Sequence, residues 1–189
     1  MENFSHQIQQ ANTDEWYTPK EYVDMIVPYI LNKGYKRILC PFDKAESQYP
    51  KVLQRNGLEV IYSHIETGKD FFEYNNLKDF DAVVSNPPFS KRTEILRKLF
   101  SADIPFALII NMNGLFDSKE RWELFKQNKF ELLIPSGRMK FFNENGVGNS
   151  PNFQSIYVCK GMLDKQIEFA RFEEEQIEGQ MSIFDYLGG

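Results

Sequence analysis

Cysteine and histidine are scarce in this chain of 189 residues, which holds two of each. Cys40 and Cys159 cannot build a disulfide framework, and two histidines give no zinc-ligand spacing. Long apolar runs are missing as well: stretches such as Phe106 to Ile110 are far too short to span a bilayer. The polar opening, Met1 to Asn12, lacks the apolar centre of a signal peptide. Positive charge is not in surplus either. Against 27 Asp+Glu there are 22 Lys+Arg, a net charge of −5, which excludes a protein that grips nucleic acid by bulk basicity. The absences point to a cytoplasmic protein. What is there, 42% hydrophobic and 26% charged residues, suits one folded domain with a sizeable core, and most of the 17 Phe belong in that core.

Periodicity predicts alternating helices and strands. Thr18-Pro19-Lys20-Glu21 reads as a helix start, with Thr18 as N-cap, Pro19 in the first turn and Glu21 completing a capping box. Pro28 must kink or end that helix. Strands are expected at Arg37 to Cys40, Glu59 to Ile65, Asp81 to Ser85, Phe106 to Ile110 and Phe130 to Ile134. A closing pair is expected around Arg138 to Phe142 and Ser155 to Cys159. Helices are expected at about Ser47 to Asn56, after Pro88 with Ile95, Leu96, Leu99 and Phe100 inward, and at Ser118 to Gln127 with Trp122 and Phe125 inward. The alternation means an α/β fold whose sheet is mostly parallel and ends in an antiparallel strand pair. Residues 1–13 read as a flexible arm, 14–161 as the folded domain, and 162–189 as an acidic tail.

The most informative stretch is Asp81-Ala82-Val83-Val84-Ser85-Asn86-Pro87-Pro88-Phe89. Ligands of open α/β sheets bind beyond the carboxyl ends of strands, where Asn86 to Phe89 would sit. Two prolines fix the backbone and donate no hydrogen bonds. The Asn86 side-chain oxygen and the Pro87 carbonyl can then accept both protons of one amino group, and Phe89 offers a face for stacking a ring. That set suits methylation of an exocyclic amine on a flipped-out base. The plainer reading is a Pro-Pro turn with Phe89 in the core.

Here the chain resembles the S-adenosylmethionine-dependent amino-methyltransferases, especially small phage-type DNA N6-adenine methyltransferases. Three segments carry the likeness in the family's order: Trp16-Tyr17-Thr18-Pro19, Asn86-Pro87-Pro88-Phe89, and Gly137-Arg138-Met139-Lys140-Phe141 with Asn149-Ser150-Pro151-Asn152-Phe153. The resemblance implies a Rossmann-like methyltransferase fold and S-adenosylmethionine as cofactor. It makes Asn86, Pro87, Pro88 and Phe89 catalytic. Trp16, Tyr17, Thr18 and Pro19 would fold over the cofactor. Cys40, Pro41, Asp43 and Ser47 would bind the cofactor, Asp43 and Ser47 at its amino and carboxylate ends, although the family's usual glycine is absent from this loop. His64 stands where a ribose-gripping acid is usual. Asp70 would read the cofactor's adenine, with Phe71 against its ring. Plainer readings stand beside these: Ser47 in a helix cap, Asp70 in a turn, His64 as a structural residue.

DNA is the implied partner, contacted by Lys91, Arg92, Arg138, Lys140 and Asn149, each of which can equally be a solvated surface residue. Gln180-Met181-Ser182-Ile183-Phe184 resembles the peptide by which proteins dock on the bacterial sliding clamp; the alternative is a terminal segment folded onto its own core. Residues 162–189 hold seven acidic and two basic residues, so the remainder of the chain is formally neutral. Two classes of function therefore stand open. One is an enzyme acting on adenine, on an RNA base or on a protein glutamine amide. The other is a catalytically degenerate fold serving as a clamp-binding adaptor.

Overall fold

The computed structural model describes residues 18–141 and 153–171. Seven strands form one sheet: β1 (Arg37–Cys40), β2 (Glu59–Tyr62), β3 (Ala82–Ser85), β4 (Phe106–Asn111), β5 (Glu131–Pro135), β6 (Ser155–Lys160) and β7 (Ile167–Ala170). Their order across the sheet is β2-β1-β3-β4-β6-β5-β7. Neighbours run parallel except β6, which is antiparallel to β4 on one side and to β5 on the other. The expected class, an α/β fold with a mostly parallel sheet and an antiparallel element towards its end, is what the chain adopts.

Strands β1, β3 and β4 are buried on both faces and read as unbroken apolar runs, as central parallel strands must. Alternate residues go to opposite faces. Ile38, Cys40, Val84 and Ile109 pack under the helices α1 (Lys20–Asp24), α2 (Val27–Asn32) and α3 (Gln48–Arg55). Leu39, Val83, Leu108 and Ile110 pack under α4 (Arg92–Ala102), α5 (Lys119–Gln127) and the turns around Phe71 and Leu77.

Several expectations are corrected. Pro19, not Thr18, is the N-cap of α1, and no side-chain capping bond forms there. The first helix breaks at Met25–Ile26, and Pro28 lies in the first turn of α2, where its missing N–H costs nothing. Trp122 is 47% exposed; the inward residue on that face of α5 is Arg121. Within Arg138 to Phe142 the described residues form no strand. Met139 and Phe141 do alternate inward, but the Lys140 N–H donates to the Tyr22 hydroxyl at 2.5 Å on α1 rather than to a ladder. Residue 142 lies outside the described residues.

The boundary expected at 161 is also displaced. Met162 and Leu163 are buried, and β7 extends the sheet beside β5. Two carboxylates hold the intervening turn. Glu131 accepts the N–H groups of Gly161, Met162 and Leu163, while Glu168 accepts those of Asp164 and Lys165 and the Tyr29 hydroxyl.

Candidate active site

The strand order places β2 on one side of β1 and β3 on the other, so the loops leaving β1 and β3 diverge at a topological switch point. That is the crevice where doubly wound sheets bind ligands. The Cys40-Pro41-Phe42-Asp43 loop leaves β1 there, and Asn86-Pro87-Pro88-Phe89 leaves β3.

Asp43 is the centre of the first loop. Its N–H donates to the Ser63 carbonyl at 3.0 Å, just beyond β2, and the Ser63 N–H returns to the Cys40 carbonyl at 3.1 Å. The Ser85 hydroxyl, at the end of β3, donates to the Asp43 carboxylate. One residue therefore ties together the ends of three adjacent strands. Asp43 is 6% exposed, and among the described residues no cation pairs with it. Burial pushes its carboxyl up to about 7, while hydrogen bonds from Ser85 and Ser47 pull the other way. A buried carboxyl with hydroxyl partners and no counter-charge fits a cationic group such as the ammonium of an amino-acid moiety. Ser47 also accepts the Lys44 N–H at 3.0 Å, so it shapes this loop from the start of α3. Cys40 is fully buried, and Pro41 is buried beside it. Burial raises the Cys40 thiol well above its ordinary range, which leaves Cys40 a packing residue.

Beyond β2 the chain makes short turns over Ile65–Thr67 and Phe71–Glu73. His64 Nδ1 accepts the Glu66 N–H at 3.2 Å and thereby caps the first turn. Asp70 Oδ1 accepts the Phe72 N–H at 3.0 Å and caps the second. Phe71, expected against the cofactor's ring, is 1% exposed and packs on Phe42 and Phe72 within the core; the exposed ring is Phe72. Tyr74 donates to Ser63 Oγ at 3.1 Å. Lys98, on α4, donates to the carbonyls of Phe71, Phe72 and Tyr74 at 2.8–3.0 Å, so the helix that follows the Asn-Pro-Pro-Phe loop also holds this turn.

Asn86 is half-buried with its side-chain oxygen shielded from solvent, and Pro87 is buried. Phe89 is half-buried and meets Phe153 edge to face, with ring centroids 5.9 Å apart. Through that contact the loop reaches the closing segment. Gln154 donates to the Gly137 carbonyl at 2.7 Å and accepts the Met112 N–H at 2.8 Å. Arg138 and Lys140 project from this segment and are exposed, as is Lys91; Arg92 is half-buried and reaches the Asn113 carbonyl. A shallow groove of about 470 Å³ runs beside the loop, lined by Phe72, Lys91, Glu94, Arg97, Lys98 and Ser101.

The loop after β4 is latched by Arg121, whose guanidinium donates to the carbonyls of Gly114 and Leu115, to Thr93 Oγ1 and to Asp117. Gly114 has φ +68°, and a Cβ there would lie 2.6 Å from an Asp117 oxygen, so the turn requires glycine.

Thr18 and Pro19 are buried ahead of α1. Trp16, Tyr17, Asn149, Gln180, Met181, Ser182, Ile183 and Phe184 lie outside the described residues. Sequence reading missed Tyr74, Ser85, Lys98 and Arg121, and it noted Ser63 only as standing, with His64, where a ribose-gripping acid is usual. The one available signal was Ser85, a polar residue closing an otherwise apolar strand. Among the described residues no cluster of acidic, Cys or His side chains can hold a metal ion, and no helix is long and apolar enough to cross a membrane.

No family model matches the chain. Over 158 residues it is 30% identical to the type II methyltransferase M.EcoRI of Escherichia coli, a match that takes in 72% of this chain and 48% of that protein. The chain thus spans about half the length of the curated relative it matches. Two solved structures superpose on it more loosely. One is a modification subunit assigned to a type I restriction enzyme of Vibrio vulnificus, with a TM-score of 0.48 and 12% identity, covering 95% of this chain and 51% of that one. The other is the type I restriction-modification methyltransferase subunit of Streptococcus thermophilus, with a TM-score of 0.46 and 11% identity, covering 89% and 50%.

Proposed function

We propose that the protein transfers a methyl group from S-adenosylmethionine to the N6 amino group of adenine in DNA. The observation that carries this reading is the Asn86-Pro87-Pro88-Phe89 loop at the carboxyl end of β3, beside a buried carboxyl at the end of β1. Similarity to a type II DNA methyltransferase supports the choice of substrate.

The cofactor, when bound, supplies an activated methyl on a sulfonium. Asp43 would hold its ammonium end, with the Cys40–Ser47 loop around it, and Asp70 its adenine end. Asn86 Oδ1 and the Pro87 carbonyl would accept the two protons of the target amine, which favours a pyramidal nitrogen with its lone pair free to attack. Phe89 would stack the base, which must leave the duplex to reach the loop. Orientation and preorganised acceptors supply most of the rate enhancement in such a site, because no proton need be removed before methyl transfer begins.

Lys91, Arg92, Arg138, Lys140 and Asn149 are the proposed DNA contacts, with Arg97 on the rim of the neighbouring groove. The Gln180–Phe184 peptide is proposed to tether the chain to a sliding clamp, which would raise the local concentration of DNA for a body that carries no net charge. Incubation with radiolabelled S-adenosylmethionine and DNA, followed by digestion to nucleosides, tests the reading. Label in N6-methyl-2′-deoxyadenosine is expected; label confined to protein or RNA, or none at all, overturns it.

A further inference from the structure

We propose that the open edge of β7 takes up residues 180–185 of the same chain as an eighth, antiparallel strand of the seven-stranded sheet. The register sets Met181 beside Phe169, Ile183 beside Ile167 and Asp185 beside Lys165. The consequence for clamp tethering rests on the proposed clamp peptide; the docking itself does not.

The two edges of the sheet, β2 and β7, are built in opposite ways. On β2 the exposed Glu59 pairs with Arg37 of β1 at 3.1 Å, and charge on an edge strand guards it against further pairing. β7 turns its only charge inward: Glu168 accepts the Tyr29 hydroxyl and the N–H groups of Asp164 and Lys165. Its outward side chains are Ile167 and Phe169, 49% and 79% exposed.

The backbone of β7 is open at the same two residues. The Leu132 N–H donates to the Gln166 carbonyl at 2.7 Å and the Ser136 N–H to the Ala170 carbonyl at 2.8 Å, so the even-numbered residues face β5. Bonding groups alternate sides along a strand, and the N–H and C=O of Ile167 and Phe169 therefore point away from β5. Among the described residues no strand pairs with that side. Ile167 and Phe169 each offer an apolar side chain together with a backbone donor and acceptor, which is what strand addition uses.

The chain itself supplies the occupant. Residues 172–189 follow β7 almost directly and lie outside the described residues. Antiparallel return with Met181 opposite Phe169 leaves residues 171–179 as the connection, short enough to hold the segment at a high local concentration that a second copy of the chain does not match. In this register two apolar pairs and one opposite-charge pair, Lys165 with Asp185, fall on one face, the combination that stabilises neighbouring strands. A register with Phe184 on Phe169 and Tyr186 on Ile167 is equally apolar but sets Lys165 opposite Gly188. Slipping by one or two residues instead brings Gln180, Ser182 or Asp185 against the apolar pair. Gln180 to Phe184 is also the proposed clamp peptide, and a peptide cannot pair with β7 and fill a clamp groove at once. Clamp docking must then peel it from the sheet edge.

Hydrogen exchange on the full chain, read residue by residue by nuclear magnetic resonance, tests the docking. At concentrations where sedimentation finds a monomer, the amides of Ile167, Phe169, Met181 and Ile183 should exchange at least about tenfold more slowly than unpaired amides. Phe169→Glu should release all four with unchanged circular dichroism, because that side chain is 79% exposed. Ile183→Glu, made in the tail, should release Ile167 and Phe169 without touching the folded body. Lys165→Glu should speed exchange of Ile183 severalfold, and combining it with Asp185→Lys should restore the wild-type rate. Unprotected tail amides in the wild type overturn the proposal, as does protection that survives both Phe169→Glu and Ile183→Glu. Protection that appears only as the chain self-associates assigns the edge to a second copy and overturns it too; failure of the charge swap overturns the register. A chain with a protected tail that binds no clamp would lose the proposed tether and keep this docking. One that binds a clamp with a tail never protected would do the reverse.

Discussion

The two halves of the reactive edge are built differently. On the side of β1, β2 and β3 the loops are joined by polar contacts: buried hydrogen bonds between Asp43 and Ser85 and between Ser63 and Tyr74, the Asp43–Ser63 backbone bond, and the part-buried to exposed bonds of Lys98 to the 71–74 turn. On the side of β4 and β6 the links are an edge-to-face ring contact, Gln154, and the Arg121 latch, among exposed side chains such as Met112 and Phe116. On the proposed function the first half recognises one small cationic molecule and gains from fixed polar partners, because each is aimed before the ligand arrives. The second half would then admit a base drawn from a duplex and gain from apolar surface that tolerates movement. The difference teaches that preorganisation here is local to the β1–β3 side.

Mutations can break that comparison in order of effect. Asn86→Ala, at the junction of the halves, should lower methyl transfer by about a thousandfold, in keeping with loss of a preorganised polar group, with unchanged circular dichroism and cofactor affinity. Weakened cofactor binding would mean that Asn86 belongs to the polar half.

Asp43→Asn should weaken cofactor binding by about a hundredfold in calorimetry, and it should also change stability with a definite sign. The wild-type carboxyl is raised from 3.8 to about 7 on folding. The neutral form is therefore favoured by the fold, and stability drains away as pH rises through that window. The variant escapes this loss. Above about pH 7 it should be more stable than wild type by on the order of 4 kcal/mol in urea titration, and near pH 4 the two should coincide.

Lys98→Met removes three bonds to backbone carbonyls. It should cost about 2 kcal/mol of stability and weaken cofactor binding about tenfold, leaving DNA affinity alone. Arg138→Gln, on the open half, should do least. DNA binding should weaken severalfold, and its dependence on salt should fall by about one counterion, read from the slope of affinity against ionic strength.

The sheet was legible in the sequence because the central strands are apolar on both faces and end at clear breaks: Pro41, Asn86-Pro87 and the 112–117 turn. β7 was not. Its Glu168 sits among acids that read as a solvated tail, yet that carboxylate points inward to Tyr29 and two N–H groups while Phe169 is 79% exposed. Arg121 was hidden in a similar way. A guanidinium is expected outside, but four acceptors converge on this one, and no local pattern announces them. At the site, Asn86 to Phe89 stood out as a rigid polar break in an apolar strand, and Asp43 by resemblance. Ser63, Tyr74 and Ser85 are neighbours only in space: 42 residues separate Ser85 from Asp43, and no periodicity crosses such a gap.

The reversed strand β6 also sets an order of assembly. β1 to β4 can pair with one another as soon as residues 37–111 have been made, because all their parallel partners lie within that stretch. β5 has no such option: its neighbours are β6 and β7, both synthesised after it. During translation β5 must wait, apolar and unpaired, until β6 enters between it and β4. The β1–β3 half of the crevice is thus complete while the other is still being made, and on the proposed function a ribosome-bound chain could hold its cofactor before it has anything with which to receive a base.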